Sequence, residues 1–174
     1  MKTFFRAKFA LFPLAVFITL IAYVSSTIAI TSGFSVALVV CAWRLYSGQI
    51  KNFEIAVLAV FAALAVGVFL APGLVGPVAI PLAFAGFSAY AVTTVLLRQP
   101  WTSEFSRAAY PQQAGDSPLF VRINMILSAL WALLFLLLAL AHMLSAGLIV
   151  TYGIVVVGAF ASIFGPRWAR RMHR

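Results

Sequence analysis

No charged residue interrupts the chain from Phe9 to Trp43, a stretch too long for one helix through about 30 Å of hydrocarbon at about 1.5 Å per residue. Ser25-Ser26-Thr27 is the natural bend, which predicts helices over about 9–24 and 27–46, with Pro13 early in the first, where it is tolerated. A third apolar run covers 53–71. The turn signal Pro72-Gly73-Leu74-Val75-Gly76-Pro77 follows it, and then a fourth run over 77–97. Ser117-Pro118 pairs an N-cap residue with proline at the first helical position and opens a fifth helix over 118–141. A sixth runs over 146–165, to Gly165-Pro166. The pattern predicts an all-α polytopic integral membrane protein: six transmembrane helices in three hairpins, forming a single transmembrane domain over 1–174.

The charges sort onto one side of that arrangement. Lys2, Arg6 and Lys8 precede the first span, Arg44 and Lys51 lie between the second and third, and Arg98, Arg107 and Arg122 lie between or at the ends of the fourth and fifth. Arg167, Arg170, Arg171 and Arg174 follow the sixth. The acids Glu54, Glu104 and Asp116 fall in the same segments, leaving the turns near residues 25, 74 and 145 without formal charge. Basic residues near span ends are retained on the cytoplasmic side, so both termini are expected there.

Composition agrees with this reading. Hydrophobic residues make up 64% of the 174-residue chain and charged ones 9%, against about 45–50% and about 25% in soluble domains. The net charge of +9, spread along four segments beside a bilayer, points to anionic lipids on the cytoplasmic face rather than to nucleic acid. The basic start followed by an apolar run also resembles a signal peptide cleaved near Val24-Ser25-Ser26. Against cleavage, the apolar run continues into the second span.

Chemistry-bearing residues are sparse. Arg44, Glu54 and Arg122 fall at span ends, within snorkelling reach of the interface. The lone Cys41 builds neither a disulfide nor a thiolate cluster. His142 and His173 are expected on opposite sides of the membrane, which excludes a shared metal or haem. Neither a nucleophile elbow nor a phosphate loop is present. No catalytic, cofactor or metal site is expected. Small residues at four-residue spacing, Ala59, Ala63 and Gly67, Ala85 and Ala89, and Gly158 and Ser162, suit close helix packing within the bundle, with self-association as the alternative.

The most distinctive segment is the loop over 98–117. After Pro100, Trp101, Phe105 and Ala108 or Ala109 share one helical face, and Glu104 and Arg107 another. This predicts a short helix lying on the cytoplasmic leaflet and ending at Pro111. Arg98, Trp101, Phe105, Arg107 and Tyr110 there, with Arg167, Trp168, Arg170 and Arg171 in the basic tail over 166–174, are the candidate contacts for lipid or a membrane-protein partner. Arg122 and Asn124 are the candidate interhelical polar residues, the asparagine one turn inside the membrane. Tryptophan and arginine recur together at each hairpin's cytoplasmic end, at Trp43-Arg44, Arg98 with Trp101, and Arg167-Trp168. Interfacial anchoring explains this without an internal duplication.

With these residues in place the chain resembles the bacterial intracellular septation protein A family, as a divergent relative or a member of a sister family. The resemblance lies in Phe12-Pro13-Leu14 opening the first span, Trp43-Arg44-Leu45-Tyr46 closing the second, and Arg98 and Pro100 closing the fourth. Arg122-Ile123-Asn124 enters the fifth, followed by Trp131-Ala132 and Phe135. Two features depart from the family: residues 71–77 are neutral, and Trp131 stands seven positions after Asn124, where the family's spacing is typically shorter. The resemblance implies a non-enzymatic role in cell-envelope maintenance or septation through protein contacts. The alternatives are a carrier or channel for a small neutral or lipid-like molecule, gated at Pro77 and Pro81, and an accessory or anchor subunit of a larger membrane complex that contacts its partner through the leucine-rich fifth span.

Overall fold

A computed structural model of the chain describes residues 10–107, 117–147, 149–158 and 160. Helices dominate, and no strand occurs among the described residues. In order they are α1 (Phe12–Leu20), α2 (Ser26–Tyr46), α3 (Asn52–Leu70), α4 (Pro72–Val75), a 3-10 turn (Gly76–Val78), α5 (Ala79–Leu96), α6 (Trp101–Ser106), α7 (Pro118–Met143) and α8 (Ile149–Gly158). Four of the helical stretches are long and apolar enough to cross a membrane: α2, α3, the run Pro72–Leu96 and α7. The chain divides into two compact units, Met1–Phe87 and Ser88–Arg174.

Two of the expected spans are shorter as described. Helix α1 has 9 residues, about 14 Å at about 1.5 Å per residue, against the expected 9–24. Helix α8 covers only the middle of 146–165, and the residues after Phe160 lie outside those described. The segment expected as a turn, 72–77, is itself helical. Its prolines explain this, since Pro72 and Pro77 each stand at the start of a helical turn, where the missing N–H has no partner to lose.

In the first unit, α2 packs against both α1 and α3. The contact is close because of Gly33: a Cβ there would stand 2.6 Å from Phe61 Cε1 and 3.1 Å from Phe17 Cβ. Phe17 and Phe61 meet edge to face at 5.5 Å, and Phe87 continues the stack 6.5 Å from Phe61 and 6.5 Å from Phe53. All four rings are buried. In the second unit, the start of α7 is capped by Ser117 Oγ, which accepts from Phe120 N–H at 3.2 Å. Ser88 Oγ donates to Ala132 O at 2.9 Å, joining the middle of α5 to the middle of α7.

Helices α2 and α5 share a register. Ala29, Gly33, Ala37, Cys41 and Arg44 are buried on α2, and Ala79, Ala83, Phe87, Ala91 and Thr94, each fifty residues further on, are buried on α5. Their ends correspond as well. Gly48 N–H donates to Leu45 O and Gln49 N–H to Arg44 O, while Arg98 N–H donates to Val95 O and Gln99 N–H to Thr94 O. Both are Schellman caps closed by a left-handed residue, Gly48 at φ 63° and Arg98 at φ 56°. The sequence hides the recurrence because matched positions share burial and not residue type, as Ala37 with Phe87 and Arg44 with Thr94 show.

Candidate functional site

The polar groups that enter the apolar helices concentrate in two places, one in each unit. In the second unit, Pro100 holds an extended conformation and starts α6. A six-residue helix is too short to persist on its own hydrogen bonds, and α6 is held by side chains instead. Thr102 and Ser106 are four residues apart on α6, and Asn124 and Ser128 four apart on α7, so each pair lies on one helical face. Thr102 Oγ1 donates to Asn124 O at 3.0 Å and lies 3.0 Å from Ser128 Oγ, which also accepts from Thr102 N–H at 3.4 Å. Ser106 Oγ donates to Asn124 Oδ1 at 2.9 Å. The other end of the Asn124 amide, Nδ2, donates to Phe120 O at 2.9 Å. Asn124 and Ser128 are buried.

Aromatic rings close the seam on one side. Trp101 lies 6.3 Å from Trp131 and 5.9 Å from Phe105, both edge to face, and Trp131 lies 5.5 Å from Phe135. Trp101, expected on the leaflet as a lipid or partner contact, is buried in this stack. The physical reason is the seam itself. Two hydroxyls on α6 find acceptors on α7 that an isolated interfacial helix would lack, and the indole follows them inward. Phe105 is half-buried, while Arg98 and Arg107 are exposed on either side of α6. Arg122 is exposed as well, so of the two residues expected between helices only Asn124 turns into the protein. Ala108, Ala109, Tyr110 and Pro111, and the tail residues Arg167, Trp168, Arg170 and Arg171, lie outside the described residues.

The first unit holds a buried ion pair. Arg44 Nε stands 3.1 Å from Glu54 Oε1, with side-chain exposures of 6% and 0%. Glu54 Oε2 accepts from the Lys51 N–H at 3.1 Å, capping the start of α3, and Glu54 O accepts from Cys41 Sγ at 3.3 Å. The Arg44 guanidinium also lies over the Trp43 ring, 5.4 Å from its centroid. Both charged residues, expected to snorkel, face each other across the turn closed by Gly48. A carboxylate at the third position of one helix and a guanidinium in the last turn of the preceding one suit the two helix dipoles. Cys41 is a packed thiol on the same helix face, three residues before Arg44.

Neither cluster has the composition of a metal centre, and no group of three His, Cys, Asp or Glu residues is placed to hold an ion among the described residues. The seam can orient and rigidify. The ion pair can lock a hairpin. The signal for the seam was present in the sequence as two small polar pairs at i, i+4, one in a loop helix and one in an apolar span. Compared with protein-family models, curated proteins and solved structures, the chain gives no significant match.

Proposed function

We propose that this chain is a six-helix protein of a bacterial inner membrane, with both termini cytoplasmic, that acts without catalysis through protein contacts in cell-envelope maintenance or septation. The observation that carries the reading is the docking of α6 on α7. A short helix that would otherwise fray is held by Thr102 and Ser106 against Asn124 and Ser128. It carries the half-buried ring of Phe105 and lies between the exposed Arg98 and Arg107. A preorganised element of this kind lowers the ordering cost of binding. Asn124, Trp131 and Phe135, which carry part of the resemblance to the septation protein A family, gather at this seam, and that adds support.

Photo-crosslinking in living cells tests the proposal. A photoreactive residue at Phe105 is compared with one at Leu74, which is exposed at the opposite end of the Pro72–Leu96 run. Adducts with division or wall-synthesis proteins from position 105 alone support it. Capture of lipid only at position 105 would sink it.

A further inference from the structure

Along the first unit, Phe12 of α1 and Ser35, Val36, Val39, Val40 and Trp43 of α2 line an open groove of about 400 Å3, within the range of about 300–1,000 Å3 typical of small-molecule sites. We infer that it holds the acyl chain of an anionic phospholipid, with the headgroup at the level of Trp43. The inference rests on the membrane placement proposed above, with the Trp43 end of α2 at the cytoplasmic face.

Three features select this occupant. The lining offers no polar surface: Ser35 Oγ is turned back to donate to Thr31 O at 2.8 Å, so that residue shows the groove only its carbon. Water gains nothing there. The groove is also half a membrane deep. From Trp43 to Ser35 is about 12 Å at about 1.5 Å rise per residue, within one leaflet of a core about 30 Å thick. A helix from a partner or a second copy would run on past Ser35 along the rest of α2, whereas a lipid chain ends near the midplane. Finally, Trp43 is exposed and carries the Arg44 guanidinium on its ring, the arrangement of an interfacial anchor. In sequence, the residues flanking the lining are basic: Lys2, Arg6 and Lys8 precede Phe12 and Lys51 follows Trp43, while Arg44 is matched by Glu54. Charge complementarity therefore favours an anionic headgroup.

The test uses the full chain in mixed-lipid nanodiscs and phosphatidylglycerol with a diazirine in its acyl chain, with adducts mapped by peptide mass spectrometry. The expected result is labelling of Phe12 and of 35–43 that unlabelled phosphatidylglycerol suppresses several-fold and phosphatidylcholine does not. The exposed α3 residues Val66, Phe69 and Leu70 serve as the bulk-lipid reference, and both competitors should dilute their labelling alike. Val36→Trp, which fills the groove, should remove the selective labelling and leave the α3 labelling intact. If 35–43 behaves as the α3 reference does towards both competitors, the groove is ordinary annular surface and the inference is overturned, a result the unaltered chain gives without any variant. Absence of labelling on α3 itself would instead overturn the membrane placement.

Discussion

Ser106 Oγ donates to Asn124 Oδ1 at 2.9 Å, and this bond ties a six-residue helix outside the apolar spans to a buried amide within one of them. Asn124→Leu removes this acceptor and leaves the Ser106 hydroxyl only its bond to Thr102 O, at 3.0 Å within α6. The expected loss is about 0.6–2 kcal/mol, the scale of polar contacts between membrane helices, read as a lower melting temperature in detergent. A double-mutant cycle with Ser106→Ala should show coupling, because the two residues share one bond. Additive losses would mean that the bond contributes nothing.

The Arg44–Glu54 pair is expected to respond asymmetrically. Removing one partner leaves the other charge buried, so Arg44→Ala should cost about 3–5 kcal/mol, whereas replacing both, as Arg44→Met with Glu54→Leu, should recover most of that loss. Unfolding in a denaturing detergent measures both variants. If the single and the double variant are equally destabilised, the pair is not what holds the hairpin. Glu54 also caps α3 through the Lys51 N–H, so the double variant should retain a deficit of about 1 kcal/mol from the lost cap.

The two matched helix caps give opposite expectations from the same geometry. Gly48 and Arg98 both sit in the left-handed region, which costs a residue with a side chain about 1–2 kcal/mol. Nothing lies within 4 Å of a Cβ built at Gly48, so Gly48→Ala should destabilise by conformation alone. Arg98→Gly should relieve that cost, offset in part by the about 0.4–1 kcal/mol of extra freedom glycine brings to the unfolded chain. Melting temperatures that fall for the first and hold or rise for the second would bear out the shared cap, and a marked fall for Arg98→Gly would refute it.

What the sequence made legible follows from the range over which each interaction acts. The four long apolar runs and the cap at Ser117 depend on neighbours within one turn, and they appear close to where the pattern places them. The helical course of 72–77 was masked because proline and glycine signal a turn and a helix start equally well. The inward turn of Trp101 was masked for a different reason. A tryptophan at a span end reads as an interfacial anchor, and only the spatial meeting of Thr102 with Ser128, 26 residues apart, decides otherwise. Arg44 and Glu54 each look exposed as a single charge at a helix end, and only their pairing across the turn accounts for their burial.

Membrane crossing by Pro72–Leu96 is the premise on which the orientation rests, and it can be tested directly. The run has 25 residues, about 37 Å at about 1.5 Å per residue, more than the hydrocarbon thickness of about 30 Å. Leu74 near its start and Gln99 just beyond its end are both exposed. With Cys41 replaced by alanine, Leu74→Cys should react with a membrane-impermeant maleimide in intact cells. Gln99→Cys should react only after permeabilisation in the proposed orientation, in which the basic Arg98 and Arg107 keep its segment on the cytoplasmic side. Reaction of both in intact cells would show that the run does not cross. The reverse pattern would keep the crossing and invert the protein, placing the docked helix α6 outside the cytoplasm and removing the ground for a cytoplasmic partner.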